Sequence, residues 1–176
     1  PMTENADILD LPPFPTMDWS DCDWWEGAID LAIGKDADLN GTPYDPEVSR
    51  LPSDSQAAAL TFNLEHGERV TDAVLMATRK YYDNVRPRYV VFLGADADEL
   101  MPVLSDNTEL RKLIELVHVH VHPWTMSGIA YVGLQFSCTW DREHGLGLML
   151  HRDRVVEIGG ADVSFSWAPD EAEEAT

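Results

Sequence analysis

Between Val117 and Ile158 the chain alternates apolar and other residues in four successive runs, separated by short turns. Val117 to Pro123 alternates Val and His. Ile129 to Cys138 places Val132, Leu134, Phe136 and Cys138 on one side, and Gly145 to Leu150 does the same with Leu146, Leu148 and Leu150. Arg152-Asp153 then turns the chain into Arg154 to Ile158. A period of two is the mark of a strand with one buried face. Short links between successive strands leave room only for antiparallel neighbours. Gly159-Gly160 closes the last run, and Asp162 to Trp167 is expected to add one more short strand.

The first half adds one strand and a long helix. Trp24 to Ile33 alternates again, with Trp25, Gly27, Ile29, Leu31 and Ile33 on one face. Lys35 to Pro52 carries Asn40-Gly41, Pro43 and Pro46 and reads as turns. Ser53-x-x-Gln56 has capping-box spacing. From there Leu60, Leu64, Gly67, Thr71, Val74, Thr78, Tyr81 and Val85 recur at steps of four and three. The stripe continues through Gly67, which predicts one helix over residues 54–85 rather than two, with Pro87 as its stop. Tyr89 to Leu93 is a strand or a buried connection. Asp98 to Leu104 and Thr108 to Leu116 read as two short helices. The predicted fold is α+β: an antiparallel meander of four to five strands packed against one long helix plus short helices.

At 176 residues the chain suits one domain, expected over residues 23–168. Residues 1–22 read as an extended acidic arm and residues 169–176 as a disordered acidic tail. The formal net charge of −20 is concentrated at the ends. Residues 1–30 hold eight acids and no Lys or Arg, and four more acids follow Pro169, leaving twenty acids against twelve bases between them. Such a field disfavours nucleic acid and anionic membrane and steers a cationic protein. The opening residues lack the basic-then-apolar order of a secretory signal. Cys22 and Cys138 lie far apart, which fits two free thiols in a reducing cytoplasm.

Three groups of residues are candidates for chemistry. His118, His120 and His122 stand at alternate positions, so three imidazoles line one face of a strand. Three His hold Zn²⁺ with an open fourth position in catalytic sites. Same-face neighbours are roughly 6.5 Å apart, however, so two of them with a third ligand from elsewhere (Glu143, His144 or His151) make the better set. The opposing reading is a polar face opposite a Val core. Asp141, Glu143 and His144 form a second cluster, suited to acid/base work or to capping a turn against Trp140. The third group is Trp19, Trp24, Trp25, Trp124, Trp140 and Trp167, interface anchors or core packing, and Trp124, Tyr131, Gln135 and Glu143 are the candidate partner-binding residues. There is no nucleophile elbow, no GxGxxG, no CxxC and no basic patch. No catalytic residue is assigned.

The segment Trp140-Asp141-Arg142-Glu143-His144-Gly145-Leu146-Gly147 resembles a group of bacterial domains of unknown function that carry a WD-x-EHGLG-like segment, followed by a strand pair ending near RVVEIGGAD. The WWEGAI opening and the Tyr81-Tyr82 end of the helix are similar in order, over about residues 24–166. The resemblance implies no enzymatic activity. It extends to small acidic immunity proteins of polymorphic-toxin systems. The expected function is therefore a cytoplasmic bacterial binding protein of the immunity type that masks a cationic toxin. The alternative is a metal-binding protein or metal-dependent hydrolase using Zn²⁺ on the His118, His120 and His122 strand, with His144.

Overall fold

A computed structural model describes residues 7–173. Among these residues eight strands form one sheet whose spatial order follows the chain: β1 (Ile8–Leu9), β2 (Met17–Trp19), β3 (Trp25–Leu31), β4 (Gly34–Gly41), β5 (Ile114–Met126), β6 (Ile129–Cys138), β7 (Leu146–His151) and β8 (Arg154–Gly159). The α+β class is as expected, but the sheet has eight strands instead of four to five. Every neighbouring pair is antiparallel except β4 and β5, which run parallel in the register Asp38↔His118 to Gly41↔Val121. The helices α1 (Asp54–Glu65), α2 (Gly67–Leu93) and α3 (Ala97–Leu100) lie between these two strands in sequence and carry the chain back, as a parallel pair requires.

The missed strand explains the departure from a simple meander. β4 turns Ala37, Leu39 and Gly41 inward and leaves Asp36, Asp38 and Asn40 on the open face. Asp, Asn and Gly are poor strand formers, so this run reads as turn until β3 and β5 pair with it. At the other end of the sheet, Asp162 to Trp167 forms no strand: Ala161–Phe165 is a 3-10 turn folded onto the open face.

Residues 7–22 belong to the sheet rather than to a free arm. β1 and β2 pair at its edge, and Leu9, Phe14 and Met17 are buried. The tail is also docked as far as it is described. Glu171 accepts from the Tyr131 hydroxyl at 3.1 Å and pairs with Arg154, while Glu173 exchanges backbone hydrogen bonds with Thr125. The first six residues of the expected arm and residues 174–176 of the tail lie outside the described residues.

The predicted single helix is divided at His66, whose φ of −113° and ψ of 29° leave the helical region. Gly67 sits there for a packing reason. A Cβ on it would come within 2.8 Å of the Ala32 Cβ at the end of β3. Pro87 does not stop α2, which continues to Leu93. Its ring lies on the exposed face, where the lost backbone bond borders water. Tyr89 to Leu93 is accordingly helical.

Both helices cover one face of the sheet, α1 over β5 and β6 and α2 over β8. Val70, Val74, Tyr82 and Val85 of α2 meet a layer that includes Trp25, Leu39, Val119, Val121, Leu134, Phe136, Leu148 and Leu150. Burying each such side chain contributes about 1.5–3 kcal/mol relative to exposure. The opposite face is free of α-helices and carries the candidate site. None of the described helices is long and apolar enough to cross a membrane.

Candidate functional site

β5 presents His118, His120, His122 and Trp124 to the open face as a column of flat rings. A bulge at Val117, where Leu116 faces Phe136 and His118 already faces Gln135, sets that phase. The His118 and His120 rings are parallel within 4° at a centroid distance of 5.6 Å. His120 and His122 are 6.3 Å apart, and His122 stacks on Trp124 at 4.5 Å. Phe165, delivered by the 3-10 turn, meets the His120 ring edge to face at 5.7 Å.

These rings form the wall of a cleft of about 520 Å³ that is completed by Trp24, Glu26, Asn40, Thr42, Pro123 and Gln135. Asn40 of β4 is directly opposite His120 across the parallel pair, and Glu26 of β3 is opposite Asn40. The cleft therefore draws on four adjacent strands. Beside it the open face of β2 to β4 is acidic. Asp18, Glu26, Asp30, Asp36 and Asp38 are all exposed there, and Lys35 reaches Asp30 at 3.5 Å.

The imidazoles of the column sit in different surroundings. His118 Nε2 lies 3.2 Å from Asp38 Oδ2. Burial pushes His120 down to about 4; the Gln135 side chain partly opposes this, and His118 adds to it. Burial likewise pushes His122 down to about 4, against the support of its bond to the Ser164 carbonyl. That bond, 2.8 Å from His122 Nε2, requires the Nε2–H tautomer. Both rings are thus neutral at physiological pH. Three ring nitrogens here are buried without a partner: His118 Nδ1, His120 Nε2 and Trp124 Nε1.

The 3-10 turn that supplies Ser164 and Phe165 rests on a file of glycines. Gly133, Gly147 and Gly159 are side-by-side partners or same-face neighbours on β6, β7 and β8. A Cβ at Gly133 would lie 1.6 Å from the Ser164 carbonyl oxygen, and one at Gly147 would lie 2.4 Å from that of Gly160. The close approach of backbone to backbone is what these glycines permit.

The expected metal set is not brought together. His144 is in the turn before β7, where its Nδ1 meets Asp141 Oδ1 at 3.1 Å, and it does not line the cleft. Rings on alternate strand positions stack against each other instead of converging on one point. Among the described residues no three His, Cys, Asp or Glu side chains are grouped as metal ligands.

The second cluster holds the turn together. Asp141 Oδ1 accepts from the His144 amide at 3.0 Å, and Asp141 Oδ2 accepts from the Tyr89 hydroxyl at 2.6 Å, which fastens α2 to the turn. Burial raises the Asp141 carboxyl, but the bonds from Tyr89 and His144 outweigh it and leave it below the usual range. Burial also raises the Tyr89 phenol, as does its bond to Asp141. Cys138 is buried, and its thiol is pushed up to about 12 by that burial. Trp140 packs on Tyr82 at 5.0 Å, not on His144.

Of the four expected partner-binding residues, Trp124 and Gln135 line the cleft. Tyr131 is fully buried beneath the tail, and Glu143 is exposed in the turn and not among the lining residues. Trp24 was among the candidate tryptophans and also lines the cleft, whereas sequence reasoning missed Glu26, Asn40 and Phe165. For Glu26 the signal was present, since it falls on the polar side of the alternation in β3. A second cleft of about 480 Å³ lies near the start of α1 between Tyr44, Val48, Ser53 and Glu173. Its Ser53 hydroxyl already caps α1, and none of its described buried polar side-chain atoms lacks a partner.

Residues 14–165 match the family described as Domain of unknown function (DUF6985). The chain belongs to this family. The DUF6985 match begins at the buried Phe14 and ends at Phe165, so it takes in every strand from β2 to β8 and the whole cleft. It starts ten residues before the span suggested by the resemblance. No curated protein and no solved structure matches the chain.

Proposed function

We propose that this DUF6985 chain is a non-catalytic bacterial binding protein, an immunity-type inhibitor that acts in the cytoplasm by masking a cationic toxin. One observation carries the reading: the face of the sheet without α-helices combines an acidic field with a cleft walled by aromatic rings. Asp18, Glu26, Asp30, Asp36 and Asp38 would draw a basic protein to this face and raise its rate of encounter. Trp24 and Trp124 would then supply the flat, partly desolvated contact area typical of binding hot spots.

Co-expression tests this directly. A basic protein encoded beside this chain should arrest growth of a host when expressed alone, and this chain should restore growth. The combined substitution Asp18→Lys, Glu26→Lys and Asp38→Lys should abolish the rescue while the purified variant stays folded by circular dichroism. Failure of the unmodified chain to rescue any adjacent basic product would overturn the inhibitor reading.

A further inference from the structure

We propose that the cleft on β3 to β6 is a receptor for an arginine side chain of the partner. This rests on the reading of a cationic protein partner and names the group that the site recognises.

Charge selects the sign of the ligand. The lining includes the Glu26 carboxylate and no Lys or Arg, and Asp38 stands beside it on His118. His120 and His122 are kept uncharged by burial, so these two rings of the wall do not oppose a cation at neutral pH. An anion would meet carboxylates with no compensating charge.

Shape and hydrogen bonding select the group. A guanidinium offers five N–H donors and no acceptor. The cleft supplies acceptors: the second oxygen of Glu26, whose Oε1 receives the Trp24 indole at 2.6 Å, and the side-chain oxygens of Asn40 and Gln135. The flat rings of Trp24 and Trp124 suit a planar guanidinium better than a compact ammonium.

Size points to a residue within a chain. About 520 Å³ exceeds what one guanidinium fills and is within the range of sites that hold a side chain with its backbone.

The full chain, labelled with ¹⁵N, is titrated at pH 7 with N-acetyl-arginine-N-methylamide, with its citrulline and lysine counterparts as parallel arms. The indole N–H resonances of Trp24 and Trp124 are the readout. Saturable shifts are expected with arginine, with binding at least about tenfold weaker for the uncharged citrulline and intermediate for lysine. Glu26→Gln, an exposed substitution whose fold is checked by an otherwise unchanged spectrum, should weaken arginine binding by a similar factor. Equal shifts for arginine and citrulline, or none with either, overturn the proposal. If co-expression rescue holds while arginine gives no shift, the arginine site falls and the inhibitor reading stands. If arginine binds as expected without any rescue, the site stands and its partner is a different arginine-bearing protein.

Discussion

At the level of single residues, two side-chain absences and two buried imidazoles govern the open face. Gly133 and Gly147 let the 3-10 turn sit directly on the sheet, with backbone oxygens where a methyl group would be. Gly133→Ala should therefore destabilise the chain by about 2–3 kcal/mol, because the obstructing atom is backbone and has no rotamer to change. Urea unfolding measures this, and a loss well under 1 kcal/mol would show that the turn is not seated there. His120 and His122 make stability depend on pH. Their folded values of about 4 lie below the ordinary 6.5, so between those pH values the unfolded chain binds more protons than the folded one. Stability from this source is complete above pH 6.5 and is lost as pH falls toward 4, with an upper bound of about 3 kcal/mol for each ring. The free energy of urea unfolding should thus drop between pH 7 and pH 5, and His120→Asn with His122→Asn should flatten that slope. An unchanged slope in the double variant would contradict neutral burial of these rings.

Among the elements, α1 matters most for what it joins. Gln56 completes the capping box with Ser53, and its side-chain amide also donates to the Thr42 carbonyl at 2.7 Å and the Val121 carbonyl at 3.2 Å. One buried residue therefore starts a helix and ties together the ends of the two parallel strands. Gln56→Leu, which keeps the bulk but removes these bonds, is expected to cost about 2–4 kcal/mol. Hydrogen exchange locates the loss: the amides of Gly41, Thr42 and Val121 should lose protection before those of β6 and β7. Uniform loss across the sheet would argue against this local role. The capping box itself was legible in sequence because it depends on residues three apart. The clamp was not, because it joins positions up to 65 residues distant.

For the molecule as a whole, legibility followed the range of the interactions. β6 was predicted with its observed limits, and β7 and β8 to within a residue, because apolar alternation fixes a strand whichever neighbour it has. β4 was invisible because its Asp and Asn residues become a strand only between β3 and β5. The candidate site divided in the same way. The His column followed from local spacing, but Glu26 and Asn40 reach it across the register of two strand pairs, and Phe165 by a turn folded over glycines. The expected metal residues are dispersed for a related reason, since alternate strand positions keep their rings side by side.

The parallel pairing of β4 with β5 has a kinetic consequence. Each antiparallel neighbour in this sheet can form early as a local hairpin, but Gly41 and Val121 are 80 residues apart along the chain. Closing that span costs roughly 4 kcal/mol in chain entropy before any contact across it is gained. The line between β4 and β5 is thus the natural last step in assembly, and the cleft straddles it, with Glu26 and Asn40 on one bank and the histidines on the other. A recognition site divided in this way comes into being only when the two halves of the sheet have met, so binding there reports on completed folding.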